Sequence, residues 1–185
     1  MKFEFTEIKD LVLIQPRVFE DERGYFFESF NKNAFAQAGI TEEFVQDNQS
    51  LSQPGVLRGL HFQWGDFAQS KLVRVIKGAV LDVAVDIRAG SPTYGKHFAV
   101  ELNERNKLML YIPVGFAHGF LTLAENTIFS YKCGNVYNKA AEGGIMWNDP
   151  DLNINWGIID PMLSDKDKNN ELFCSFKSPF DFITR

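Results

Sequence analysis

Residues 81–87 read Leu-Asp-Val-Ala-Val-Asp-Ile, and no other stretch of the chain limits its fold so tightly. Leu81, Val83, Val85 and Ile87 share one face of an extended chain, and Asp82 and Asp86 take the other. This two-residue period belongs to a β-strand. Lys77-Gly78 supplies a tight turn ahead of it. Comparable short apolar runs recur at 3–8, 12–15, 17–20, 25–30, 44–48, 56–62, 72–76, 98–102, 107–112, 119–123, 127–132 and 144–147, with turn residues between them. Many short strands so punctuated predict an all-β sandwich or barrel. Helix is expected only at 33–38, stopped by Gly39, and as a turn over 164–170 opened by Ser164. The tail from Asn148 is rich in Asp, Asn and Pro and is expected to wrap the barrel irregularly, so that residues 1–185 form one domain.

Composition excludes several classes. A net charge of −5 without a basic block argues against nucleic-acid binding. No apolar run approaches the ~20 residues of a membrane span. The N-terminus MKFEFTEIKD has no apolar signal-peptide core. Cys133 and Cys174 lack metal-binding or redox spacing and read as free thiols of a cytoplasmic protein.

Two segments carry chemistry: VLRGLHFQ at 56–63 and YIPVGFAHGF at 111–120, each with one histidine in an apolar run. The spacing Gly55-x5-His61, then Pro113-x-Gly115-x2-His118, is that of the paired motifs of cupin barrels. A metal-binding version would carry a second histidine at 63 and a glutamate soon after. Here position 63 is Gln, and 64–70 holds no Glu. The pattern points to proton transfer without a metal. A histidine such as His61 is ordinarily a satisfied core residue; as a base it requires a carboxylate to fix its tautomer, and Asp165 and Asp167 are candidates. His118 alone reads as structural and His97 as a surface residue. Lys71 shares parity with Val73 and Val75, so it faces inward if they do; Leu72 and Ile76 define the competing face. Tyr131 is either a packed tyrosine or a general acid, and Tyr137 has a weaker version of that claim. Arg23 and Arg58 are surface charges or bidentate phosphate clamps. A regular strand would put Arg58 and His61 on opposite sides unless Gly59 marks a bulge.

The segments VFEDERGYFFESFN, FVQDNQSLS, GVLRGLHFQ, FAQSKLVRVIKGAVLDVAVDIRAGSPTYGK, IPVGFAHGF, YKCGNVYN, GGIMWNDPDLNINW and LSDKD together resemble the dTDP-4-dehydrorhamnose 3,5-epimerase family over about residues 10–180. The resemblance implies a cupin-type jelly-roll barrel, a homodimer with exchanged strands, and no metal or organic cofactor. It implies conversion of dTDP-4-dehydro-6-deoxy-D-glucose to dTDP-4-dehydro-β-L-rhamnose. In that reading His61 is the base, Asp167 its partner, Tyr131 the proton donor, and Lys71 the cation near the sugar keto oxygen. Arg23, Glu28, Gln46, Asp47, Asn48, Arg58, His118, Glu142 and Lys166 match substrate contacts, and Tyr137 joins them. Many relatives read HxQxPP where this chain has His61-Phe62-Gln63-Trp64-Gly65-Asp66, which alters the loop beside the pocket. A single-carbon epimerase or keto-isomerase of the same fold would alter the Tyr131 side, and a non-catalytic cupin would lose the base or its partner.

Overall fold

The periodic runs become strands. The computed structural model describes residues 1–183, and in it the chain forms β1 (Lys2–Phe5), β2 (Val12–Gln15), β3 (Phe19–Asp21), β4 (Gly24–Phe26), helix α1 (Lys32–Gln37), β5 (Gln46–Ser52), β6 (Leu57–Gln63), β7 (Lys71–Lys77), β8 (Ala79–Asp86), β9 (His97–Asn103), β10 (Met109–Ile112), β11 (Phe116–Thr122), β12 (Thr127–Cys133) and β13 (Glu142–Gly144). Six strands pair in the order β1-β2-β10-β7-β12-β5 and five as β13-β6-β11-β8-β9, while β3 and β4 make a separate hairpin. All these pairings are antiparallel, and most neighbours are distant in sequence, as in a double-sheet jelly roll of the cupin type.

Three apolar layers hold this arrangement. Between the sheets lie Val73, Val75, Val80, Ala84, Leu110, Ile112, Phe116, Phe120 and Phe129. Outside the six-stranded sheet, Val12, Ile14, Leu72, Met109 and Tyr111 pack on Phe35 of α1. Asn31 caps that helix by accepting the Ala34 N–H at 3.1 Å, and Gly39, at φ 85°, ends it. Outside the five-stranded sheet, Leu57, Leu60, Val83, Val85, Ile87 and Leu121 are covered by Leu152, Trp156 and Phe176 of the tail. The alternation at 81–87 is therefore real, but its polar face is no surface: Asp82 and Asp86 are both fully buried. Val73 and Val75 do face the barrel interior, and Leu72 serves the outer layer.

Several strands depart from expectation; β1 stops at Phe5 and β4 at Phe26, short of the expected 8 and 30. β5 runs to Ser52 through the polar sequence QDNQSLS, where only 44–48 was expected, because its inner side chains are hydrophilic and leave no hydrophobic period. β11 begins at Phe116, three residues earlier than its apolar run suggested, pairing Phe116 with Asp86. β13 ends at Gly144, where strand was expected to begin. His97 lies half-buried in β9 and is not a surface residue.

One local irregularity positions the site. β6 pairs with β11 through His61↔His118 and then Arg58↔Phe120, so the register shifts between them. Gly59 makes this possible. At its φ of 134°, a Cβ would stand 2.5 Å from Gly119 Cα and 2.9 Å from the His118 carbonyl oxygen. Arg58 and His61 are thereby turned to the same cavity. Gly59→Ala should destabilise the protein by about 3 kcal/mol, from overpacking and an unfavourable φ together, read as a lowered chemical-denaturation midpoint.

Candidate active site

The space between the two sheets opens as two adjoining lobes of about 450 and 480 Å³. Arg58, His61, Lys71, Tyr131 and Ser50 line both. His61 and Arg58 come from the five-stranded sheet, and Lys71, Tyr131 and Ser50 from the six-stranded one. His61 therefore faces Tyr131 from the opposite wall.

His61 Nε2 hydrogen-bonds Asp167 Oδ1, joining β6 to a 3₁₀ turn at Asp167–Asn169 in the tail. The His61 side chain keeps 27% of its surface exposed, whereas that of Asp167 keeps 3%. Burial alone would raise the Asp167 carboxyl. The hydrogen bond and charge of His61, the Ser164 hydroxyl and the Lys166 charge outweigh it, and the group lies below the usual carboxylate range. Asp167 is thus a carboxylate acceptor, the ring donates from Nε2, and Nδ1 is the nitrogen left to take a proton.

A second pair lies beside the first. His118 Nε2 is 2.9 Å from Asp82 Oδ2, and both side chains are buried. Burial depresses the His118 pKa, only partly offset by Asp82, while Lys71 and His61 depress it further. Lys71 is also lowered, first by burial; Cys133, Asp82 and Glu142 oppose the shift, and Lys166 adds to it. Burial raises Tyr131, which keeps its phenol protonated at neutral pH.

Around the mouth, β5 turns Gln46 and Asn48 inward beside Tyr137 and Glu142. Tyr137 Oη donates to Glu142 Oε2 at 3.2 Å, and Lys166 Nζ lies 2.5 Å from Glu142 Oε1. Arg58 donates from Nε and Nη2 to Ser52 Oγ, each at 3.3 Å. Four expected contacts do not line the cavity of their own chain, and one of them, Lys166, meets it only through Glu142. Strand alternation sends Asp47 outward, to Lys132 at 2.9 Å. Arg23 sits on the β3–β4 hairpin, paired with Asp21, with 86% of its side chain exposed. Glu28 is exposed and accepts from Asn31 at 3.1 Å. Conversely, three participants were not read as part of the site. Asp82 was legible only as the polar half of an alternation, Ser52 carried no signal beyond its type, and Ser164 was legible only as the cap of a turn, a role it fills by accepting the Asp167 N–H at 3.1 Å. Gln63, at the position of a metal-type histidine, is buried and accepts the Asn138 N–H at 2.8 Å. Among the described residues, no three His, Cys, Asp or Glu side chains converge as a metal site.

A jelly-roll barrel with a histidine–aspartate pair on one wall of its cavity and a lysine and a tyrosine on the other is a cupin fashioned for acid–base chemistry. The family model described as dTDP-4-dehydrorhamnose 3,5-epimerase matches residues 5–175. The enzyme of that name from Shigella flexneri is 54% identical over 91% of this chain and 93% of its own. The crystal structure of the Elizabethkingia anophelis enzyme of that name shares 52% identity at a TM-score of 0.90, covering 94% of this chain and 97% of that one. That of dTDP-6-deoxy-D-glucose-3,5-epimerase from Legionella pneumophila, in complex with dTDP-4-keto-L-rhamnose, shares 44% at a TM-score of 0.94, covering 98% and 99%. The chain belongs to the dTDP-4-dehydrorhamnose 3,5-epimerase family, as the resemblance over 10–180 implied.

The charge environment of Lys71 can be measured directly. NMR titration of isotopically methylated lysines should find Lys71 losing its proton below the ordinary 10.5. Glu142→Gln, which removes a nearby negative charge, should lower it further.

Proposed function

We propose that this cavity inverts C3 and C5 of dTDP-4-dehydro-6-deoxy-D-glucose, giving dTDP-4-dehydro-β-L-rhamnose for dTDP-L-rhamnose biosynthesis. The carrying observation is that His61 and Tyr131 stand on opposite sheets with the cavity between them. Both hydrogens to be moved flank the C4 ketone, so removing either leaves an enolate with its charge on the C4 oxygen. His61 Nδ1 takes the proton, and Asp167 steadies the resulting imidazolium. Lys71 offsets the oxyanion; losing one such donor costs about 3–4 kcal/mol in other enzymes. Inversion demands that the new proton arrive on the other face, which suits the protonated Tyr131 phenol. Arg58, whose side chain bonds only the Ser52 hydroxyl among the described residues, is available to the diphosphate. Gln46, Asn48, His118, Tyr137, Glu142 and Lys166 complete the contacts. The chemistry asks for no redox or metal cofactor.

We propose further that the protein works as a homodimer in the cytoplasm. The β3–β4 hairpin exposes Phe19, Tyr25 and Phe26 at 51%, 57% and 66%, an apolar patch that invites a second copy. Arg23 and Glu28 would then reach the partner's cavity. If so, Arg23→Ala and His61→Asn proteins, each inactive alone, should regain part of the activity when mixed and refolded, since a mixed dimer has one complete site. No recovery would remove Arg23 from the partner's site.

The defining experiment is turnover of the dTDP-sugar in D2O, followed by NMR and mass spectrometry. Label at both C3 and C5 with a rhamno-configured product is expected. Label at one carbon would make the enzyme a single-site epimerase, and none would overturn the reading. His61→Asn should fold and lose turnover. Tyr131→Phe should still exchange a proton yet invert poorly.

A further inference from the structure

Behind the His61–Asp167 pair stands a residue that carries no charge. Ser164 Oγ donates to Asp167 Oδ2 at 2.8 Å and accepts the Asp167 backbone N–H at 3.1 Å. Asp167 Oδ1 takes the His61 ring. One hydroxyl thus grips the aspartate by its backbone and its carboxylate together, leaving the carboxylate a single plane in which to meet the imidazole. The turn has other closures: Lys168 N–H to the Ser164 carbonyl at 3.2 Å, Asn169 N–H to the Lys166 carbonyl at 3.0 Å, and Asn169 Nδ2 to the Asp165 carbonyl at 2.6 Å. Its backbone is therefore not left to the Ser164 hydroxyl alone, whereas the orientation of Oδ2 has no other hydrogen-bond donor among the described residues.

Resting on the role of His61 as base, we propose that Ser164 is a positioning residue, the outer member of a Ser164–Asp167–His61 relay that aims the base at the sugar. It touches the ring only through Asp167, and its effect belongs to the proton-transfer step and not to nucleotide binding.

The test compares Ser164→Ala, Ser164→Thr and Ser164→Asp with wild type, using the dTDP-sugar. Ser164→Ala should lower kcat about tenfold, the scale of one hydrogen bond to a charged group, with KM nearly unchanged. It should also move the His61 imidazole N–H proton resonance upfield of its wild-type position, as the hydrogen bond to Asp167 loosens. Ser164→Thr keeps the hydroxyl and should restore both. Ser164→Asp keeps an acceptor for the Asp167 N–H but sets a second carboxylate against Oδ2; the two must share a proton, which weakens the carboxylate that Asp167 offers His61, so kcat should still fall with the turn kept, which carries the test if the alanine variant folds poorly. Wild-type kcat in both Ser164→Ala and Ser164→Asp, or a loss that threonine does not repair, would overturn the relay. Failure of wild type to exchange any substrate proton would instead overturn the epimerase reading itself.

Discussion

A carboxylate buried in a hydrocarbon barrel needs a partner, because a buried charge left alone costs several kcal/mol, and an imidazole can supply one. Two such couples meet here at one seam. His61 and His118 are direct neighbours across β6 and β11, and each finds its aspartate on a different element. Asp82 arrives on β8, the strand on the other side of β11, and Asp167 on the tail. The sheet order and the path of the tail can both be read as the means of delivering these two carboxylates to the two rings.

The close contact of Gly59 with Gly119 translates that pairing into a usable cavity. It lets β6 slip in register, so that a guanidinium and an imidazole three residues apart share one wall. The opposite wall holds Lys71 and Tyr131 on β7 and β12, which are hydrogen-bonded neighbours. Burial acts on the two in opposite senses: it loosens the lysine's hold on its proton and tightens the tyrosine's. An acid–base reaction across a sugar ring is the natural use of such an arrangement.

Much of this was legible in residue order, and the exceptions have physical causes. Strand parity grouped Lys71, Val73 and Val75 on one face and left Leu72 and Ile76 as the rival; the structure turns the first group inward. The burial of Asp82 did not follow from parity, since a strand covered on both faces buries its polar side as deeply as its apolar one, and alternation cannot say which side holds solvent. β5 was half hidden because pocket-lining strands trade hydrophobic residues for Gln46, Asn48, Ser50 and Ser52, erasing the period by which strands are found. Asp167 lay in a charge-rich turn that would ordinarily be solvated; its burial rests on Ser164 beside it and on a ring 106 residues away that sequence order does not reveal. Arg23 and Glu28 matched the family pattern yet lie away from their own chain's cavity, Arg23 paired with Asp21 on the exposed hairpin and Glu28 with Asn31.

The tail that brings Asp167 home is attached differently from the barrel. It carries no long strand and is secured by Trp156, Phe176 and Leu152 on the outer sheet face and by isolated bridges such as Val56 with Met162 and Ile145 with Glu171. Segments held in this way open at lower free energy than the sheets beneath them. The cavity and the fold thus have separate breaking points: a tail that peels away leaves His61 without its carboxylate while the sheets beneath stay whole.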